Sequence, residues 1–290
     1  MQVVANIVVL VAIYALISCG YVLIYRVSRV LNLAHGELMM LAAYLLLALG
    51  SFFGGSPVTA LIGAAVLSLA VGLVLYVVLM RRMTGELVIS AVLVTIALGI
   101  FLRGLIILIW TGRGYHPIDQ LLWHNPPIAL GAGVAISTVA LVMIVTAIVA
   151  YAALFVFFRF TRWGVRMRAV GENPLLAAQR GIKLHATYAL AWGMATFTGG
   201  CAGILLSLDS GLDTSMAIVS LKAFPAALVG GLDSLRGAIV GSLVVATAEV
   251  LAIQYVDPLV SDVIPFLVLI VMLMIRPWGL FGTREEIERE

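Results

Sequence analysis

Charge is scarce in this sequence. Of its 290 residues only 11% are Asp, Glu, Lys or Arg, while 63% are hydrophobic and the mean hydropathy is +1.17. A soluble domain has roughly a quarter of its residues charged and about half apolar, so this composition excludes one and implies a polytopic membrane protein. No polar stretch is long enough to fold a second core, which predicts a single transmembrane domain over residues 1–290. Cysteine is nearly missing as well. Cys19 and Cys201 both lie inside apolar runs, which leaves no disulfide framework or metal spacing and makes them small core residues. Catalytic patterns are missing too: there is no H-E-x-x-H helix and no serine nucleophile elbow, and His35, His116, His124 and His185 are scattered. A membrane-plane enzyme or a metal site is therefore not expected. The absence of G-x-x-x-x-G-K-[ST] removes P-loop binding of ATP by this chain. The first residues carry no basic n-region and no small-residue cleavage site, so they read as a first span and not as a removed signal.

What is present is a series of apolar runs near the ~20 residues needed to cross a bilayer. They are Asn6–Tyr25, Leu33–Gly50, Val58–Met80, Leu87–Trp110, Ala129–Phe158, His185–Leu208, Gly237–Tyr255 and Leu259–Ile275. A further segment, Ala217–Gly230, is short and carries Lys222 and Pro225, so it is either a tilted crossing or a broken, partly re-entrant helix. With nine crossings the loops alternate. One side then holds Arg26, Arg29, Arg81, Arg82, Arg159, Arg162, Arg166, Arg168, Arg180, Lys183, Arg236, Arg276, Arg284 and Arg289, and the other only Arg113. Cytoplasmic loops retain Lys and Arg, so the first side is expected inside, with a cytoplasmic tail at 276–290 and the N-terminus outside. That parity requires Ala217–Gly230 to cross. The loop from Thr111 to Pro127, with Trp110, Tyr115 and Trp123, fits an external interface segment with aromatic anchors.

One stretch breaks the apolar pattern: "RAVGENPLLAAQRGIK", residues 168–183. Asn173 is a good N-cap, Pro174 follows at the first helical position and Gly181 suits the C-terminal cap. A short helix over 174–180 is predicted, in the loop 159–184. It presents Leu175, Leu176, Ala177 and Ala178 as an apolar knob on a rim of arginines. Spacing alone leaves two readings open. The helix could lie on anionic lipid, or dock into a groove of a cytoplasmic partner.

"RWGVRMRAVGENPLLAAQRGI", residues 162–182, resembles the cytoplasmic coupling segment of permease subunits of ABC importers for branched-chain amino acids, part of a larger family that also serves ribose-type sugars. Three further blocks are similar to that family. "YALISCGYVLIYRVSRVLNLAHGELMMLAAY" (14–44) holds an N-[FL]-A-H-G-[ED] motif, "SLKAFPAALVGGLDSLRGAIVGSL" (220–243) resembles the K-A-F-x-A-x-[VL]-G-G block with one residue more before its glycine pair, and "MIRPWGLFG" (274–282) holds an R-P-x-G-[LI]-[FL]-G motif. The likeness runs from about residue 14 to 282, and the early "NLAHGE" block is similar to the LivH-type subunit rather than its larger paralogue. The resemblance implies that Gly171, Glu172, Asn173, Pro174, Leu175, Leu176, Ala177, Ala178 and Gly181 form the element that couples to an ATPase. It also implies a second permease subunit, two cytoplasmic ATPase subunits that hold ATP and magnesium, and an extracytoplasmic substrate-binding protein. This chain would hold no cofactor.

An ionisable group inside a membrane is costly and is a functional candidate by default. Here these are His35, Glu37, Arg103, Lys222, Asp233 and Glu249. "LNLAHGELMM" and "LKAFPAALVGGLDS" are polar or proline-bearing interruptions in the two halves of the chain, and paired broken segments point to a translocation path. Asn32, His35, Gly36, Glu37, Lys222, Phe224 and Pro225 are expected on or beside that path. The competing reading is structural: Glu37 and Lys222 pair with each other or cap helix ends. Arg103 and Glu249 stand isolated in the sequence and are weaker candidates. Gly199, Gly200 and Gly203 suit close helix packing. Asp209 and Asp213 fall in an external loop, which either meets a binding protein or is simply solvated.

The sequence thus predicts an all-α polytopic membrane protein of about eight to ten transmembrane helices with broken or re-entrant segments and an ABC importer permease fold. It would reside in the bacterial cytoplasmic membrane, contact lipid and no nucleic acid, and move branched-chain amino acids or related small polar solutes by alternating access. The alternative is an ion-coupled secondary transporter or channel, in which intramembrane carboxylates would be the motor.

Overall fold

A computed structural model describes residues 1–52, 56–111, 114–121, 125–131 and 134–283. Arg113, Trp123, His124, Arg284 and Arg289 lie outside the described residues. The order is α1 (Gln2–Ser28), α2 (His35–Phe52), α3 (Pro57–Val78), α4 (Val88–Trp110), α5 (Pro117–Gln120), β1 (Pro127–Gly131), β2 (Val134–Ser137), α6 (Thr138–Phe160), α7 (Arg162–Glu172), α8 (Pro174–Gln179), α9 (Leu184–Ser210), α10 (Met216–Gly230), α11 (Leu235–Tyr255) and α12 (Ile264–Ile275). Short 3-10 turns at Met80–Met83 and Pro258–Asp262 lie between α3 and α4 and between α11 and α12.

Among the described residues seven helices are long and apolar enough to cross a membrane, and α10 and α12 are shorter apolar helices. The α1 and α9 helices form the centre: in each, 72% of the most apolar window is buried, against 22% in α3 and 28% in α4 and in α6. The reason lies in side-chain size. The α9 helix carries glycines where its neighbours come closest. A Cβ on Gly203 would stand 2.7 Å from Met39 Cγ of α2, and one on Gly200 2.7 Å from Ser68 Oγ of α3. Backbones that approach this closely gain dispersion contacts that lipid tails cannot match. The outer helices instead turn large apolar side chains away from the protein: Ile62 and Val66 on α3, Ile100 and Phe101 on α4, Ile148 and Val149 on α6. In water such a surface would be prohibitive; in lipid it is the solvent-matched face.

Chain direction is readable from which ends meet. The C-terminal end of α1 (Arg26), the α6–α7 junction (Arg159, Arg168), the α10–α11 turn (Asp233) and the chain after α12 (Phe281, Thr283) line one cavity. At the other end, Tyr115 and Leu212 exchange backbone hydrogen bonds of 2.8 Å, and Asp209 Oδ1 accepts from Ser137 Oγ at 2.6 Å. The α9 helix therefore runs away from the basic end and α10 runs back toward it, so α10 takes part in the alternation of spans.

Three expectations need correction. The run Ala129–Phe158 is not one span. Pro127–Gly131 and Val134–Ser137 form two antiparallel strands that pair Pro127 with Ser137 and Ile128 with Ile136. The α6 helix starts only at Thr138, where Ser137 Oγ accepts from the Ala140 N–H at 3.0 Å. A short apolar stretch with glycines does not distinguish strand from helix. The run Leu259–Ile275 is also divided, into the turn Pro258–Asp262 and α12, with Pro265 in the first turn of the helix. Finally, the loop 159–184 holds two helices instead of one, because α7 precedes α8.

Candidate functional site

At the basic end, Thr161 Oγ1 accepts from the Gly164 N–H at 3.0 Å and opens α7. Met167 and Val170 are fully buried on its inner side. Close approach at its C-terminal end, where Gly171 lies on the Arg26 carbonyl of α1, leaves no room for a Cβ. The predicted caps of α8 are formed. Asn173 Oδ1 accepts from the Leu176 N–H at 3.0 Å, and Pro174 occupies the first turn. At the far end Gly181 has φ +79°. The Gly181 N–H donates to the Ala178 carbonyl at 2.9 Å and the Ile182 N–H to the Ala177 carbonyl at 3.1 Å, the paired bonds of a Schellman stop. One expectation fails here: Ala177 does not face out. It is 4% exposed and packs into the same core cluster as Met167 and Val170. The outward knob is Leu175 and Leu176, 69% and 56% exposed, with Ala178 and Glu172 exposed beside them. The α7–α8 pair is thus a rigid platform seated on α1, α6 and α9, with two leucines turned away from it.

The second constellation lies where the interrupted starts of α2 and α10 meet. The chain from Arg29 to Ala34 is irregular, held by the Leu33 N–H donating to Thr95 Oγ1 of α4 at 3.1 Å and by Asn32 Oδ1 accepting from the Ala34 N–H at 3.1 Å. Gly36 packs on α10: a Cβ there would stand 2.9 Å from the Ala217 carbonyl oxygen and 3.2 Å from Ser220 Cβ. His35 is wholly buried, wedged between Gly20 of α1 and Gly199 of α9, and a Cβ on Gly199 would stand 2.7 Å from its ring. Tyr21 ties the group together. Its ring lies 4.6 Å from that of His35 and 5.2 Å from that of Phe224, and its hydroxyl is 3.1 Å from Ser220 Oγ. Neither ring nitrogen of His35, nor Nδ2 of Asn32, has a hydrogen-bond partner among the described residues.

The structure therefore brings His35, Gly36 and Phe224 together and adds Tyr21 and Ser220, which the sequence gave little reason to select because a buried tyrosine in an apolar run looks like core. It does not bring Glu37 or Lys222 to them. Glu37 is half-buried against Gly99 of α4. Lys222 pairs not with Glu37 but with Glu249 of α11 at 2.5 Å and with Asp262 at 3.2 Å. Tyr14 donates to Glu249 Oε2 at 2.5 Å, so neither Lys222 nor Glu249 stands alone. Pro225 is buried inside α10. Arg103 Nη2 donates to the Thr214 carbonyl at 2.9 Å. Asp233 holds the tail, accepting from the Thr283 N–H at 3.1 Å. Asp213 caps the approach to α10 by accepting from the Ser215 N–H at 2.7 Å.

The bundle thus has a buried two-helix centre, two interrupted segments meeting inside it and a rigid two-helix platform at one end. The comparisons place it more closely. A family model described as "Branched-chain amino acid transport system / permease component" matches residues 3–273, and the chain belongs to that family. It is 30% identical over 290 residues to the high-affinity branched-chain amino acid transport system permease protein LivH of Escherichia coli (strain K12), covering 95% of this chain and 93% of that protein. It is 28% identical to BraD of Pseudomonas aeruginosa, with 95% and 93% covered, and 26% identical to a probable LivH of Methanocaldococcus jannaschii, with 92% and 88% covered. Among solved structures, PsaBC from Streptococcus pneumoniae in complex with Fab shares 16% identity with a TM-score of 0.48, over 95% of this chain and 91% of that one. The family and the apolar helices make this a multi-pass membrane protein and a permease component.

Proposed function

We propose that the chain imports branched-chain amino acids or related small polar solutes by alternating access, with ATP and magnesium held on two cytoplasmic ATPase subunits. A second permease subunit would complete the path, and an extracytoplasmic binding protein would deliver the substrate. The observation that carries this reading is the α7–α8 platform. Its stop signals are complete at both ends, it is seated on α1 and α9, and it aims Leu175 and Leu176 outward. A self-contained transporter has no use for such an element, whereas a subunit driven from outside its own fold needs a stiff lever. In this reading the basic end, with the C-terminal tail, faces the cytoplasm. Movement of the lever would separate α1 from the starts of α2 and α10, where Tyr21, His35 and Phe224 close the way. The unpartnered nitrogens of His35 are then what a polar solute meets as the path opens.

The test is uptake of labelled leucine, isoleucine and valine, with urea and acetamide as competitors, into vesicles holding the chain with its partner subunits. ATP-dependent accumulation that stops when the ATPase subunits are omitted is expected. Accumulation without them, driven only by a proton or sodium gradient, overturns the reading in favour of a secondary transporter.

A further inference from the structure

The cavity at the basic end, about 740 Å³, is not explained by transport. Its wall carries five guanidinium groups, from Arg26, Arg29, Arg159, Arg168 and Arg236. The same lining holds two carboxylates, Asp233 and Glu172. Asp233 is occupied by Thr283, through both its N–H and its hydroxyl, and Glu172 is exposed. Arg26 and Arg168 are half-buried, yet neither forms an ion pair among the described residues; Arg26 instead lies over the Phe158 ring, 5.2 Å from its centroid. Asp233 and Glu172 act on Arg26 only from beyond ion-pair distance, and Arg168 opposes them; an anion with several oxygens relieves a partly desolvated guanidinium held in this way, because a phosphate accepts the planar N–H fork in pairs.

The floor of the cavity is of a different kind. Leu154, Phe155 and Phe158 of α6 and Ile239 of α11 line it, and Phe155 and Ile239 continue onto the exposed apolar faces of those two helices. The cleft thus joins a cationic rim to a lipid-facing wall, with α1 at its base. A soluble phosphate needs only the rim. A molecule that uses both has a phosphate at one end and a hydrocarbon chain at the other.

We infer that this cleft binds the phosphodiester headgroup of an anionic glycerophospholipid, with one acyl chain against Phe155 and Ile239. A charged pocket between membrane helices on the basic side suits such headgroups. Because Gly171 of α7 lies on α1 beside Arg26, the lipid would sit under the coupling platform and brace it.

The experiment uses the full chain with its partner subunits, delipidated in detergent and exposed to an equimolar mixture of dioleoyl phosphatidylglycerol and dioleoyl phosphatidylcholine, with retained lipid counted by mass spectrometry. The wild type is expected to retain phosphatidylglycerol selectively. The variant Arg26→Gln/Arg168→Gln removes two guanidinium groups and should retain it at least about tenfold less, since one charge-assisted pair alone is worth about that factor. The variant Arg81→Gln/Arg82→Gln, which removes the same charge at exposed positions in the turn Met80–Met83, should behave as wild type. Arg26→Lys/Arg168→Lys separates loss of fold from loss of contact, because it keeps the charge and should restore part of the binding. Equal retention by the Gln variant and the wild type overturns the inference. So does complete displacement of the lipid by inorganic phosphate at matched concentration, which makes this a free-anion site. Retention of the lipid only by a preparation stripped of its ATPase subunits, and not by the full complex, also overturns it, since a protein partner then owns the cavity.

Discussion

Lys222 ties α10 to α11 and to the turn that follows it, through Glu249 and Asp262 and not through Glu37, the other ionisable group in a paired interruption. The pairing of α10 with α11 is set by backbone approach at Gly230, Gly237 and Gly241, and no one-dimensional reading locates that. Replacing Lys222 by Met strands Glu249, which is 2% exposed, with Tyr14 as its one remaining donor among the described residues. The loss should be about 3–5 kcal/mol, read as a lowered melting temperature in detergent. Glu249→Gln on top of Lys222→Met should recover part of it. If the melting temperature of Lys222→Met is unchanged while uptake falls, Lys222 acts on the path and not as a tie between helices. Ala177 teaches the converse. Within a run of small and apolar residues the inner position cannot be told from the outer ones until the seat is known. Ala177→Asp should lower the yield of folded protein by placing a carboxylate in the core, whereas aspartate at Leu175 should leave yield intact.

At the scale of elements, local signals were read well where they are local. The caps of α8 depend on Asn173, Pro174 and Gly181 and on nothing distant, and each forms as the sequence predicts. Removing them should loosen the platform. Asn173→Ala costs about 1 kcal/mol of helix stability, and Gly181→Ala about 1–2 kcal/mol because the residue holds a left-handed backbone. Both variants should insert normally and show weaker coupling, measured as basal ATP hydrolysis less stimulated by substrate-loaded binding protein. The strand pair β1–β2 is illegible in the sequence for the opposite reason. Its alternation is short and apolar, it runs straight into α6, and its partner contacts are non-local: Gln2 Nε2 donates to the Ala135 carbonyl at 3.0 Å and Ala135 N–H returns to Gln2 Oε1 at 3.0 Å. The missed helix α7 is amphipathic but interrupted by glycines and arginines, so composition suggests a loop while burial of Met167 and Val170 makes a helix.

For the whole molecule, composition alone established the membrane class, and the run lengths located the long spans to within a few residues at most ends. What they could not establish was whether Met216–Gly230 crosses, since about 22 Å of helix falls short of a ~30 Å core. Convergence of the α1 end, the α10–α11 turn and the post-α12 chain on one cavity makes α10 part of the alternation. That parity carries a prediction: in a background lacking Cys19 and Cys201, Asp119→Cys should react with an impermeant thiol reagent added outside intact cells. Glu86→Cys should react only after permeabilisation. The reverse pattern inverts the whole topology.

In the proposed function an external ATPase drives this bundle through α8. The most direct measurement is co-purification of the ATPase subunits with Leu175→Asp/Leu176→Asp, together with ATP-dependent leucine uptake by the same preparation. Loss of both, with the chain still inserted at wild-type levels and with Leu108→Asp on the outward face of α4 still retaining the ATPases, is the predicted result. Retention of the ATPases and of uptake by Leu175→Asp/Leu176→Asp would contradict it, and the platform would then be a surface element resting on lipid.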